Sequence, residues 1–298
     1  MIKIRVPASS ANMGPGFDSL GVALDLYNYV CAEETESGVQ IEIDDSSKNL
    51  LPCDENNLAY RSMCEVFKLC GYKPKGIRLV LENNIPVTRG LGSSSAGIVG
   101  GLMAGNAIAG YPLNKDELLN IAARLEGHAD NVTPALMGGF TVNVMHRGSV
   151  SYIKHSLPKD LCFAAIIPDF QLATRKSRSI LPRFVPHKDA VFNAGHSALL
   201  ASSLVLGKYE NIRIAIGDRL HQGYRKRLIP SMEELFSLCY RHGALGVYLS
   251  GAGPTVVAIV KSSNKGFNAA MSGVLNKKMN NRRLCMLKAD NEGAVEIK

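Results

Sequence analysis

The sequence predicts an α+β fold on three observations. Short segments of alternating apolar and polar residues, beginning with residues 2–6, predict half-buried strands. Helical patterns at residues 57–69 and 115–126 are set apart from these strands and do not alternate regularly with them. Strand patterns also follow one another as hairpin-like pairs, as in residues 140–145 and 151–153. This grouping favours an α+β arrangement over regular strand–helix alternation.

The N-terminal half opens with a strand whose end we expect to pass into an irregular loop at residues 7–18, which is rich in Gly, Pro, Ser and Asn. Asn114 is expected to cap the helix at 115–126, whose first turn carries two acids. The pattern predicts further strands at residues 39–43 and 77–81.

The C-terminal half begins with an apolar strand at residues 161–167, followed by a basic loop at 174–178. We expect a capping box from Ser231 to Glu234 to open a helix that ends at Gly243. A polar stretch near residues 156–159 suggests a boundary between a unit at 1–157 and a unit at 158–298. The remaining patterns predict helices at 189–206, 212–220 and 267–276, and strands at 247–249 and 255–260 on either side of a Gly-rich turn.

The composition is that of a soluble globular protein, with 46% apolar and 20% charged residues. The N-terminus lacks the apolar core of a signal peptide, and the seven Cys are scattered without metal-ligand spacing, so we expect a cytoplasmic protein without disulfides or zinc. The net charge of +8 fits a phosphorylated small substrate as well as a nucleic acid. Aromatic residues are not interleaved with the basic clusters, which disfavours nucleic acid.

The stretch PVTRGLGSSSA at residues 86–96 carries the strongest functional pattern. Gly90 and Gly92 can adopt positive φ and let a ligand approach the backbone, and three serines follow at the start of an uncharged helix. Free N–H groups and the helix dipole make such a helix start an anion site. The stretch is neither a Walker A loop, since no Gly-Lys-Ser/Thr follows, nor a dinucleotide fingerprint, since the third Gly is missing.

Three glycines, Gly97, Gly101 and Gly105, recur at four-residue spacing and therefore share one face of this helix. Each costs about 1 kcal/mol relative to Ala in a helix, so we expect something to approach that face closely. A membrane-spanning helix with a small-residue face is the alternative. The run is too weakly apolar for it, with Asn106 inside and Pro112 near its end.

Three separated segments, at residues 6–24, 86–102 and 249–259, resemble the signature segments of the GHMP small-molecule kinases. The sequences PASSANMGPGFD at 7–18 and HADN at 128–131 are similar to the homoserine kinase branch of that family. The resemblance implies an N-terminal domain like ribosomal protein S5 domain 2, a ferredoxin-like C-terminal domain and a site between them. It also implies transfer of phosphate from ATP to the hydroxyl of L-homoserine, a step toward threonine, and it suggests a homodimer.

For the nucleotide, the resemblance implies that Ser94 holds Mg²⁺ together with Glu126, since Mg²⁺ takes few protein ligands and keeps waters. Many relatives have more residues between this Glu and the His that follows it, whereas only Gly127 stands between them here. Which carboxylate reaches the metal therefore stays open. The resemblance implies that ATP is bound by Pro86, Val87, Thr88, Arg89, Gly90, Leu91, Gly92, Ser93, Ser94, Ser95 and Ala96.

For the amino acid, the resemblance places Asp18 at the ammonium and Asn12 near the hydroxyl. Arg178 and Arg225 would clamp the carboxylate, where Arg offers a bidentate fork. Arg219 and Arg227 are near rivals of Arg225 in the sequence. The remaining residues of the implied substrate pocket are Thr174, His128 and Asn131.

Asp130 is open to two interpretations. In mevalonate kinases an Asp in a similar context is interpreted as a general base, whereas homoserine kinases are thought to lack one, with Asn131 orienting the substrate hydroxyl. We favour the mechanism without a base. Two other functions compete: a GHMP kinase for another alcohol such as mevalonate, which has no ammonium and would not need Asp18, and a basic RNA-binding module.

Overall fold

A computed structural model of the chain describes residues 1–43, 47–48 and 50–297. Its strands are β1 (Ile2–Ala11), β2 (Leu20–Thr35), β3 (Gly38–Ile43), β4 (Gly76–Asn83), β5 (Phe140–His146), β6 (Ser149–His155), β7 (Leu161–Pro168), β8 (Gly246–Leu249), β9 (Val256–Lys261), β10 (Arg282–Leu287) and β11 (Val295–Ile297). Its α-helices are α1 (Leu58–Cys70), α2 (Ser93–Ile108), α3 (Lys115–Glu126), α4 (Val132–Met137), α5 (Thr174–Ser179), α6 (His187–Leu206), α7 (Ile212–Ala215), α8 (Gln222–Arg225), α9 (Met232–Arg241) and α10 (Gly266–Lys278).

The first sheet carries the N-terminal half of the chain. Its strands run in the order β11-β1-β2-β4-β3, and β5 extends it by pairing with the start of β2 and with β6. The long strand β2 is the central strand of this sheet, since it pairs with β1, β4 and β5. The last strand, β11, returns from the C-terminal part of the chain to pair with β1.

Helix α2 crosses β1 and β2 and contacts α1, α3 and α4. Its glycines explain how it can lie so close to its neighbours. A Cβ added at Gly101 would lie 2.1 Å from the carbonyl oxygen of Ala59, and one at Gly105 would lie 2.9 Å from the Met63 side chain. The predicted close approach is therefore that of helix α1, while Gly97 faces the open cleft described below.

The second sheet has the order β10-β7-β9-β8, and all its pairs are antiparallel. In chain order the unit is strand, helices, two strands, helix and strand, which is the ferredoxin-like arrangement. Together with the first sheet this confirms the α+β class. The boundary between residues 1–157 and 158–298 stays a prediction, and β11 would belong to the first unit by its pairing.

Several predicted elements were wrong. The loop predicted at 7–18 begins only after Ala11, because β1 continues past Pro7 through a bulge between Pro7 and Ala8. The loop predicted at 174–178 is helix α5. The helix predicted at 212–220 ends at Ala215, since Asp218 instead accepts hydrogen bonds from the backbone N–H groups that follow it.

The predicted capping box from Ser231 to Glu234 is also wrong, because Ser231 has a φ of 58° and its side chain makes no capping hydrogen bond. The box at the start of α3 is present, with Asn114 and Glu117 bonded reciprocally as the sequence predicts. None of the described helices has both the length and the apolar character that a membrane crossing requires.

Candidate active site

One cavity of about 330 Å³ is lined by residues from both halves of the chain. The start of helix α2 forms one side of it, and the loop after β1 forms another. From the C-terminal half come Thr174 and Arg178 on α5, Arg225 at the end of α8, and Gly251 and Ala252. The cleft therefore joins the Gly/Ser stretch to most of the polar residues predicted for an amino-acid pocket.

The end of the cleft formed by the Gly/Ser stretch, which we call the phosphate-loop end, is built mainly from backbone groups. Gly90 and Gly92 have φ of 80° and 71°, and Gly92 is the N-cap of α2. A Cβ at Gly92 would lie 2.0 Å from Ser9 Oγ, and one at Gly90 would lie 2.5 Å from the carbonyl oxygen of Ser250. Both positions need glycine, and the four N-terminal N–H groups of a helix have no partner within the helix. The arrangement offers donors and a positive dipole end to an anion.

The serines of this stretch do not cap helix α2, whose N-cap is Gly92. Ser94 Oγ and Ser95 Oγ each donate to the carboxylate of Glu126, at 2.9 and 3.0 Å. Glu126 is the last residue of α3, and Gly127 follows it with a φ of 87°. The carboxylate next to Ser94 is therefore that of Glu126, whereas Asp130 lies beside His128.

Not every residue of the predicted ATP loop lines the cleft. Leu91 and Ala96 are buried in the hydrophobic core, and Ser95 is buried against Glu126. Pro86 lines a second cavity, which shares Val87 and Arg89 with the cleft. The residues of the loop that line the cleft are Val87, Thr88, Arg89, Gly90, Gly92, Ser93 and Ser94.

The amino-acid end of the cleft is built from side chains. Arg178 donates to both carboxylate oxygens of Asp18, at 2.6 and 3.1 Å, so the two predicted charge partners of a zwitterion face each other. Asn12 and Asp18 have φ of 65° and 56°, and Asn12 Oδ1 accepts from the Asp18 N–H. Asn12 Nδ2 donates to the carbonyl oxygen of Gly251, which anchors this loop on the second half.

Asn131 precedes helix α4, and its Oδ1 accepts from Ser9 Oγ at 2.9 Å. His128 Nδ1 lies 2.7 Å from Asp130 Oδ1, and Asp130 is only 2% exposed. Burial lowers the pKa of His128, but the hydrogen bond and charge of Asp130 outweigh it, so the net direction of that pKa is upward. The buried Asp130 carboxylate is therefore hydrogen-bonded to His128 through Oδ1.

Arg225 is 1% exposed and has no carboxylate within salt-bridge distance among the described residues. Burial, followed by the charge of Arg178, lowers its pKa to about 10, so it stays charged at neutral pH. Its rivals lie elsewhere: Arg219 pairs with Asp189, and neither Arg219 nor Arg227 lines the cleft. A buried cation without an anion is the arrangement that suits a carboxylate ligand.

Sequence reasoning missed one end of the cleft. Beyond the Gly/Ser stretch the cavity is lined mostly by apolar side chains, with amides among them. These residues lie on strands β2 and β4, in the segment before α1 and at the start of α1, and only the fold brings them together. The residues of this end are Val30, Leu51, Pro52, Leu58, Leu81, Asn28, Asn56, Asn57 and Asn83.

Comparison with known proteins agrees with this geometry. The GHMP kinases N terminal domain matches residues 57–139, and the GHMP kinases C terminal domain matches residues 200–271. A homoserine kinase from Caldicellulosiruptor saccharolyticus is 46% identical over 300 residues, which cover 99% of this chain and 96% of that protein.

Solved structures give the same family. The crystal structure of a homoserine kinase from Cytophaga hutchinsonii superposes with a TM-score of 0.90 at 29% identity and covers 99% of this chain and 97% of that one. The mevalonate kinase of Methanococcus jannaschii superposes with a TM-score of 0.73 at 15% identity, over 96% of this chain and 98% of that one. This second likeness shows the fold alone.

Proposed function

The chain belongs to the homoserine kinases of the GHMP kinase family, and from this premise we propose how its cleft phosphorylates the side-chain hydroxyl of L-homoserine with ATP. The product is O-phospho-L-homoserine, and the reaction is a step toward threonine. One observation carries the proposal. A single cavity joins a helix N-terminus suited to phosphate with a compartment lined by Arg178 and Arg225. Asp18 reaches this compartment through its ion pair with Arg178, and Arg225 has no carboxylate partner among the described residues.

Phosphoryl transfer needs in-line positioning and neutralisation of charge more than covalent help from the protein. The N–H groups at the start of α2 supply this for the phosphates of ATP, with Gly90 and Gly92 letting them approach the backbone. The apolar end of the cleft receives the base of ATP, since its aliphatic side chains suit the faces of a planar ring and its amides suit the ring nitrogens. The polyphosphate then runs from that end toward residues 92–94.

The donors at Ser94 and Glu126 suit Mg²⁺, which prefers oxygen ligands and keeps several waters. The described part of the chain contains no group of three or more His, Cys, Asp or Glu that could hold a metal ion. Ser94 and Glu126 would hold the ion. When bound, it would neutralise charge on the β- and γ-phosphates.

The amino acid binds by exchanging one ion pair for two. In the free cleft Asp18 and Arg178 neutralise each other. The ammonium of L-homoserine binds the Asp18 carboxylate. The carboxylate of L-homoserine binds Arg178 and Arg225, so no charge is left without a partner. Thr174, at the start of α5, lines the same compartment.

The reacting hydroxyl lies near Asn12 and Asn131, whose side chains are held by Gly251 and Ser9. Asp130 is turned toward His128 and nearly excluded from solvent. It therefore orients His128, and the hydroxyl proton leaves to the transferred phosphoryl group. We further propose a cytoplasmic location and a homodimer, on the resemblance alone.

The test is ADP release by the purified protein with Mg-ATP and either L-homoserine or mevalonate. We expect turnover of L-homoserine and much slower turnover of mevalonate. The Asp18→Asn variant should lose activity with L-homoserine, while the exposed control Glu36→Gln should match the wild type. Faster turnover of mevalonate than of L-homoserine would refute the proposed substrate.

A further inference from the structure

Behind Arg225 lies a histidine that has no assigned role in the site. His221 is completely buried, one helical turn before Arg225 in the chain. Its Nε2 lies 2.8 Å from the carbonyl oxygen of Gly14, and its Nδ1 lies 3.0 Å from Arg225 Nη1. The ring also packs tilted against Phe17, with centroids 5.3 Å apart. His221 thus connects the loop after β1 to one of the two arginines of the cleft.

These two contacts fix the protonation of the ring. A carbonyl oxygen can only accept, so the nitrogen facing Gly14 must carry a hydrogen. A guanidinium can only donate, so the nitrogen facing Arg225 must offer its lone pair. His221 is therefore neutral, with hydrogen on Nε2, and burial lowers its pKa in agreement. Only in this form can it accept from a cation.

Asp218 holds this histidine in place from the other side. Its carboxylate accepts from the backbone N–H groups of His221 and Gln222 at 3.0 and 2.7 Å. It lies 3.7 Å from His221 Nε2, which is too long for a hydrogen bond to the ring. Asn193 donates to the same carboxylate and to the carbonyl oxygen of Pro15, which ties the unit to the loop.

Arg225 depends on neutral acceptors for its orientation. Besides His221 it donates to the carbonyl oxygens of Gly251 and Ser177, at 2.9 and 3.3 Å. Among the described residues none of its contacts is a carboxylate, so no strong ion pair fixes the guanidinium. The His221 contact is the one that a side-chain substitution can remove without touching the backbone.

We propose that His221 is a positioning residue that aims the Arg225 guanidinium at the carboxylate of the amino-acid substrate. The inference rests on the proposed role of Arg225 in the homoserine site. As a neutral acceptor, His221 takes up one N–H of Arg225 without neutralising its charge. The guanidinium therefore keeps its full charge for the substrate, which a carboxylate at the same position would not allow.

Two conservative variants separate the contacts of the ring. In His221→Asn the amide oxygen stands where Nδ1 stands and can still accept from Arg225. In His221→Gln the longer amide reaches the Nε2 position, so the bond to Gly14 can be kept while the acceptor for Arg225 is lost. His196→Gln is the matched control, because His196 lies on α6 and does not line the cleft.

We expect His221→Gln to raise the KM for L-homoserine by about 10-fold to 150-fold, the range for a hydrogen bond to a charged group. The KM for ATP and kcat should change by less than about 3-fold, and His221→Asn should stay within about 3-fold of wild type in all three. Thermal melting shows whether each variant is folded. Equal changes of the KM for L-homoserine in folded Asn and Gln variants, or no change in either, would overturn the proposal.

A second measurement does not depend on the substrate. The ¹⁵N spectrum of the histidines in the free protein should show His221 with hydrogen on Nε2 and none on Nδ1, and Arg225→Met should shift its Nδ1 resonance. A doubly protonated His221 or an unshifted resonance contradicts the positioning contact even if the enzyme is active. A protein that shows both signals but does not phosphorylate L-homoserine instead contradicts the proposed function.

Discussion

The two ends of the cleft are built in different ways. The phosphate-loop end is made of consecutive residues, with Gly90 and Gly92 at positive φ leading into helix α2. The amino-acid end is made of side chains from four separate stretches of chain, which meet only when both sheets are formed. The first end offers backbone donors that suit phosphate of any nucleotide, whereas the second offers charges at fixed positions that suit one class of small molecule.

This difference indicates how substitutions should affect each end of the cleft. Backbone N–H groups are not removed by changing most side chains, so substitutions at the phosphate-loop end should act through the proposed metal ligands or through backbone strain. A side chain at the amino-acid end can be removed singly, and its loss should be seen only by the amino acid. Variants should therefore separate effects on kcat from effects on the KM for L-homoserine.

The largest effect is expected where the phosphate-loop end does depend on a side chain. Glu126→Gln keeps one oxygen that can accept from Ser94 or Ser95 and an amide N–H that can donate to the other hydroxyl, but it removes the charge that would face Mg²⁺. We expect kcat to fall by about 10²-fold to 10³-fold, the scale for loss of one electrostatic stabiliser. Asp116→Asn, at the exposed start of the same helix, is the control. Steady-state measurement of kcat over a range of Mg²⁺ concentrations tests this prediction. An unchanged kcat would exclude Glu126 as a ligand of Mg²⁺.

At the amino-acid end, Arg178→Gln should raise the KM for L-homoserine by about 10-fold to 150-fold, because a hydrogen bond to a charged group is lost. The KM for ATP should hardly change. Arg227→Gln, with the same chemistry outside the cleft, serves as the matched control. A parallel rise in both KM values in a folded protein would mean that the two ends are not independent.

The sequence predicted the two ends unequally. Residues 86–96 could be predicted as an anion site because their chemistry is local, set by two glycines and a helix start. The pairing of Arg178 with Asp18 could not, since 160 residues separate them and only the second sheet brings α5 to the loop after β1. The residues of that end were found by resemblance to a family, and the apolar end was missed because its apolar positions differ in no way from core positions.

A smaller effect is expected at Asp130. Because its carboxylate is bonded to His128 and nearly excluded from solvent, Asp130→Asn should lower kcat by less than about 10-fold. Removal of a general base would cost about 10²-fold to 10⁴-fold. Single-turnover rates with L-homoserine distinguish the two, after circular dichroism has shown that the variant is folded. A loss in the larger range would make Asp130 the base.

The smallest effect concerns stability. The pKa of His128 is raised in the folded protein, so its pairing with Asp130 stabilises the fold fully below the unfolded value near 6.5 and is lost as pH rises through the folded pKa. The free energy of unfolding of the wild type should exceed that of Asp130→Asn most at acidic pH. Urea unfolding between pH 5.5 and 8.5 measures this difference. A gap that widens with rising pH would contradict the upward shift.

The most direct test of the division of the cleft is a crystal structure with L-homoserine and a non-hydrolysable ATP analogue. We predict that the γ-phosphate lies at the start of helix α2 beside Ser94. The ammonium of the amino acid should then contact Asp18 and its carboxylate both Arg178 and Arg225, with the side-chain hydroxyl between the two ligands. An amino acid bound away from these arginines, or a triphosphate that does not reach residues 92–94, would contradict the account.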